Sequence, residues 1–141
     1  MNQDQKSVIR RTWALVTPIS DIAATLFYDR LFEIDPPTRL LFRADALAEQ
    51  RRKLMQTLDA LVQGLDHLDD LVPVLEDLGR RHLRYGVQES HYDSVGSALL
   101  WTLERGLGTH WTDEAREAWG EVYGLTAGIM KKAAHDAESA A

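Results

Sequence analysis

His82 closes a stripe of leucines. Leu71, Leu75 and Leu78 share one face of a helical projection, and His82 extends that face by one turn. A neutral imidazole in such a place can ligate a transition metal or serve as a core histidine bonded to backbone, and spacing alone leaves both readings open. A second polar residue breaks the same pattern, because Gln50 heads the stripe Leu54, Leu58, Leu61 and Leu65. His67, His91, His110 and His135 lie in polar or terminal surroundings.

Other chemistries find few residues to carry them. The absence of cysteine removes disulfides, thiolate metal sites and thiol nucleophiles. There is no Gly-x-Ser-x-Gly elbow and no glycine-rich phosphate loop. Asp66, Asp69 and Asp70 lack the spacing and terminal glutamate of a calcium loop and read as a solvated turn. Neither a His-x-x-x-His nor a Glu-x-x-His pair supports a zinc or di-iron site.

The elements that must hold these residues are all helical. Val8, Ile9, Thr12, Trp13 and Val16 predict a first helix over 5–16, which Pro18 ends. A second helix is expected from Ser20 or Asp21, either able to cap it, through Ala24, Phe27, Tyr28 and Leu31 to the Asp35-Pro36-Pro37 stop. The Gln50 stripe is the third helix. The His82 stripe is the fourth, with Pro73 expected in its first turn and Gly86 as a left-handed stop. Tyr92, Val95, Leu99, Leu103 and Leu107 mark a fifth, and Ala115 through Met130 the last, capped by Thr112 or Asp113. No β alternation or internal repeat competes, so the expectation is an all-α fold of six to eight helices.

A length of 141 residues suits one domain, 1–141, burying about two thirds of its unfolded surface. With 16 Lys and Arg against 22 Asp and Glu, the net charge of −6 disfavours nucleic acid and anionic membrane as partners. The polar N-terminus lacks a secretory layout, and no apolar run reaches the ~18 residues of a membrane span. A cytoplasmic location is the expectation.

Several blocks, in order, carry a family resemblance. Leu26-Phe27-Tyr28-Asp29-Arg30-Leu31-Phe32 is followed by Asp35-Pro36-Pro37 and Leu40-Leu41-Phe42, then by Gln50-Arg51-Arg52-Lys53-Leu54. Next come Leu78-Gly79-Arg80-Arg81-His82, His91-Tyr92-Asp93-Ser94-Val95-Gly96 and Ala118-Trp119-Gly120-Glu121-Val122-Tyr123-Gly124. Together they resemble the haem domain of flavohaemoglobins and their single-domain bacterial relatives over about residues 5–132. The resemblance implies a globin fold, a three-over-three helical sandwich, with haem b as cofactor.

It also implies roles. His82 is similar to the proximal iron ligand and Phe42 to the corner phenylalanine that packs against the porphyrin. Leu54, Leu78, Val87, Tyr92 and Val95 are expected to line the cofactor. Tyr28 and Gln50 resemble the distal pair, whose hydroxyl and amide would each contribute about 1.5–3 kcal/mol to a ligand that carries partial negative charge. Lys53, Arg80, Arg81 and Arg84 are candidates for the haem propionates, or solvated helix-end charges. Tyr92 matches a tyrosine that, in flavohaemoglobins, joins a last-helix glutamate behind the histidine. Here the sequence departs, since Ala134 stands at that glutamate's position, with Asp136 and Glu138 only nearby.

The implied function is reversible binding of dioxygen, and of nitric oxide or other small ligands. A nitric oxide dioxygenase served by a separate reductase is the alternative, the length leaving no room for flavin and nicotinamide domains. A sensor module or cofactor-free interaction domain is a third. The oligomeric state is not readable.

Overall fold

The computed structural model describes residues 1–140. Helix α1 spans Gln3–Val16 and starts two residues before the expected point, because Asn2 and Gln5 form a reciprocal capping box. Its stripe, Val8, Ile9, Thr12, Trp13 and Val16, is buried as the spacing predicts. A 3-10 turn over Thr17–Ile19, with Pro18 in it, leads directly into α2, Ser20–Ile34. The expected Ser20 or Asp21 cap does not form. Ser20 is itself in helical geometry, its N–H bonded to Thr17 O, and so lacks the extended backbone from which a capping side chain reaches the amides of the first turn.

The chain leaves α2 at Asp35 and winds through a 3-10 segment, Pro36–Leu41, to Phe42, whose backbone is extended. After a second short turn, Ala44–Ala46, helix α3 runs Leu47–Gln63. Helix α4, Leu68–Arg84, follows the 3-10 turn Leu65–His67. Pro73 therefore sits at the sixth position of α4, not in its first turn; the helix tolerates the missing N–H one turn in, and begins earlier than the proline suggests. The helix stops at Gly86, φ +91°, with the N–H of Tyr85 bonded to Arg81 O and that of Val87 to His82 O. Helices α5, Glu89–Leu107, and α6, Asp113–Ala140, complete the chain, the latter capped by Thr112 Oγ1 accepting from the Ala115 N–H at 3.1 Å.

α1, α3 and α4 form one layer and α2, α5 and α6 the other, with α4 laid on α6, α1 on α5 and α6, and α3 on α2. This is the expected all-α sandwich, with six α-helices. The main core gathers Ile9, Leu31, Leu65, Leu103 and Trp119. Trp119 Nε1 donates to Thr12 Oγ1 at 2.9 Å, and the Thr12 hydroxyl in turn donates to Val8 O at 2.7 Å, so these two buried polar groups are paired. A smaller cluster of Leu75, Tyr92, Ala127 and Met130 lies beneath α4. There α4 and α6 touch through backbone, since a Cβ on Gly79 would fall on the main chain of Met130. That close approach fixes the height of α4, and with it His82.

Candidate functional site

His82 sits one turn from the end of α4 and is half-buried. Its Nδ1 lies 2.8 Å from Leu78 O, one turn back. A carbonyl oxygen only accepts, so Nδ1 carries the proton and the Nε2 lone pair points away from the bond. Burial pushes the imidazole below its ordinary pKa, the Leu78 bond opposes this, and the Arg81 guanidinium adds to the lowering. The result is a neutral ring with a fixed tautomer and one free donor nitrogen. That is the form in which histidine ligates a metal.

Tyr28 is buried on α2, in line with its place on the Phe27–Leu31 face. Burial pushes the phenol pKa up, while a hydrogen bond from the Gln50 amide and the charge of Arg51 act the other way. Two residues 22 apart in sequence, on α2 and at the start of α3, are thus brought together at one hydroxyl. Phe42 stands edge-on to Tyr28 with ring centroids 5.5 Å apart. Phe32 completes the group, 6.0 Å from Tyr28 and 5.8 Å from Phe42, with the Arg39 guanidinium 5.1 Å from its ring. Phe32 was not singled out from the sequence; its place four residues after Tyr28 on the same helix was the available signal.

Leu54 and Val95 are half-buried against the main core, and Leu78 and Val87 against the smaller cluster. Apolar side chains kept partly accessible in this way suit a flat apolar group better than a hydrated ion. Consistently, among the described residues no cluster of three His, Cys, Asp or Glu could chelate a metal. The donor set is one histidine nitrogen plus apolar walls, which fits an iron already held by a macrocycle.

Tyr92 is buried on α5, and its hydroxyl has no hydrogen-bond partner among the described residues. Its main-chain oxygen accepts from the Tyr123 hydroxyl at 2.5 Å, and the Lys131 ammonium stands 6.0 Å from its ring. Among the described residues no carboxylate bonds to the Tyr92 hydroxyl. Asp136 is exposed and pairs with Lys132 at 3.2 Å, and Glu138 is exposed. Lys53, Arg80, Arg81 and Arg84 are all exposed, and Arg81 Nε pairs with Asp77 at 3.1 Å. A further contact, Ser94 Oγ donating to Asp35 Oδ2 at 2.7 Å, ties α5 to the end of α2 just before the corner that carries Phe42.

An open cleft of about 690 Å³ lies elsewhere, between α1, the start of α2 and α3, lined by Trp13, Ala24, Arg51 and Met55 among others. It contains none of the expected site residues.

Comparison with known proteins gives a consistent picture. The globin family model matches residues 25–130. Neuroglobins of Chaenocephalus aceratus and Dissostichus mawsoni are each 30% identical over 145 residues, covering 94% of this chain and 91% of theirs. Among solved structures, a bacterial globin of Campylobacter jejuni superposes with a TM-score of 0.85 at 18% identity, over 98% of this chain and 99% of that one. An engineered carbene transferase made from a candidate nitric oxide dioxygenase of Rhodothermus marinus gives 0.88 at 24% identity, over 99% and 97%. A hexacoordinated haem protein of an anhydrobiotic tardigrade gives 0.86 at 20% identity, over 96% of each.

Proposed function

The chain belongs to the globin family, and from that premise we propose that it holds haem b through His82 Nε2 and binds dioxygen or another diatomic gas beside Tyr28 and Gln50. The observation that carries this reading is the state of His82: neutral by burial, its proton committed to Leu78 O, and its second nitrogen free on a partly accessible apolar face. Haem, when bound, would supply an iron that His82 holds and that can bind a diatomic gas.

The chain's own residues then divide the work. The Leu78 bond fixes the ring plane of His82 and keeps Nε2 unprotonated. Phe42, held between Tyr28 and Phe32, offers an apolar ring to the cofactor face. Tyr28 keeps its proton, because burial raises the phenol pKa, and so it remains a hydrogen-bond donor to a partly anionic ligand. Gln50 stands near enough to act on the same phenol and can add its amide N–H. Leu54, Leu78, Val87 and Val95 keep water from the apolar walls.

A nitric oxide dioxygenase with a separate reductase is the second reading, suggested by the Rhodothermus marinus neighbour. The bare hydroxyl of Tyr92 favours reversible binding instead: among the described residues His82 Nδ1 is held by the neutral Leu78 carbonyl and not by a carboxylate, so its electron donation to a metal is only modestly raised. The deciding experiment is nitric oxide consumption over many turnovers with ferredoxin and its reductase supplied. Nitrate formation that stops after one burst, or continues only slowly as the donor re-reduces the iron, supports the binding reading; rapid formation sustained at many turnovers per second overturns it.

A further inference from the structure

Resting on the haem reading, we propose that the corner at residues 36–43 and the end of α4 at residues 80–88 form one docking face for an acidic protein that donates single electrons. The two segments meet, since the Leu41 side chain lies 3.7 Å from where a Cβ on Gly86 would stand. They also bracket the site, as one ends next to Phe42 and the other contains His82 and Val87.

The charge of this face opposes that of the molecule. Arg39, Arg43, Arg80, Arg81 and Arg84 fall in these 17 residues without a single carboxylate, on a chain of net charge −6. Arg39, Arg80 and Arg84 form no ion pair among the described residues. Arg43 pairs at 3.0 Å with Asp45 and Arg81 at 3.1 Å with Asp77, all four groups exposed and both pairs weak. Amid these cations stand two apolar side chains that the fold leaves open, Leu40 at 89% exposure and Tyr85 at 69%. Cations around a small apolar centre are the complement of an acidic partner surface, which they would steer over roughly a Debye length.

The partner class follows from the location. A face at the edge of a haem pocket is where an electron must cross, and attraction between opposite charges raises encounter rates by about 10- to 1,000-fold at low salt. In the step, one electron leaves a reduced low-potential donor, such as a [2Fe–2S] ferredoxin, and enters ferric haem; the donor is oxidised, the iron reduced, and no bond is made or broken.

The test uses the haem-loaded protein and reduced plant-type ferredoxin, an acidic donor, in stopped flow at low and at about 0.3 M salt. The Soret band is recorded first; failure to take up haem overturns the haem reading and this one together. The expected result is a reduction rate that falls at least about tenfold with salt, and about tenfold at low salt in an Arg39→Glu, Arg43→Glu double variant. Reduction by photoreduced lumiflavin, small and uncharged, is expected to keep its rate in that variant. Salt-independent rates, or a double variant reduced by ferredoxin at the original rate, overturn the docking face. A variant that takes up haem normally but loses the ferredoxin and lumiflavin rates alike also overturns it, as does one with weakened haem uptake, which assigns the arginines to the haem itself.

Discussion

The Tyr123 hydroxyl donates to the main-chain oxygen of Tyr92 at 2.5 Å, while the hydroxyl of Tyr92 itself is buried with nothing to bond. The two aromatic rings are thus held by opposite means, one by its polar tip and the other by its backbone and walls. A buried hydroxyl without a partner costs free energy, so removing it should do no harm. Tyr92→Phe is expected to leave stability unchanged or to raise it by up to about 1 kcal/mol, read from urea unfolding. A loss of 2 kcal/mol or more would mean that the hydroxyl has a partner after all.

On the other side of the site, Tyr28 keeps a phenolic proton and Gln50 reaches it from α3. Tyr28 is buried and fixed, whereas Gln50 is half-buried on the first turn of its helix, with more freedom to swing away. In the haem-loaded protein, Tyr28→Phe is expected to raise the oxygen dissociation rate about tenfold to a hundredfold, and Gln50→Ala less. Flash photolysis and ligand-replacement stopped flow measure both. Unchanged rates in both variants would remove the two hydrogen bonds from the account.

Gly79 sets the spacing of α4 on α6. Gly79→Ala would push a methyl into the Met130 main chain, which cannot yield as a flexible side chain can. Such overpacking costs about 1–3 kcal/mol, and a thermal melt should show a drop of several degrees. A melt unchanged within a degree would show that the two helices have slack.

The pH dependence of folding in the haem-free protein carries a signature of His82. Its folded pKa lies below the ordinary 6.5 because the charged ring is disfavoured by burial. The unfolded chain therefore binds more protons as pH falls, and stability is lost from about pH 6.5 down through the folded pKa. Above that window the contribution is fully present. Replacing His82 with Gln is expected to flatten this part of the profile in urea titrations between pH 7 and 5; an unaltered slope would show that the ring is solvated.

Much of this was legible in the sequence, for reasons that differ by residue. Val8 to Val16 and Trp119 follow helical periodicity because one face must be buried, and the core honours that pattern. His82 stood out because a titratable ring ended a leucine stripe, and Gly86 because only a residue free of a Cβ penalty sits easily at φ +91°. Pro73 misled, since a proline marks where an N–H is absent but not where a helix begins; the 3-10 turn before α4 supplied the start. The missing Ser20 cap has the same origin, a preceding turn that holds Ser20 in helical geometry. The roles of Phe32 and Ser94 were not legible because both depend on how α2, the corner and α5 meet, a long-range arrangement that local spacing does not encode.

The central claim is that His82 Nε2 is a free metal-ligating nitrogen on a face built for a flat apolar cofactor. Titrating haem into the purified protein and into His82→Ala tests it most directly. An intense Soret band at one haem per chain is expected in the first, and its loss or a much weaker affinity in the second, restored in part by added imidazole. Haem uptake in His82→Ala with the same affinity and spectrum as the parent, or a folded parent that takes up none, would contradict it.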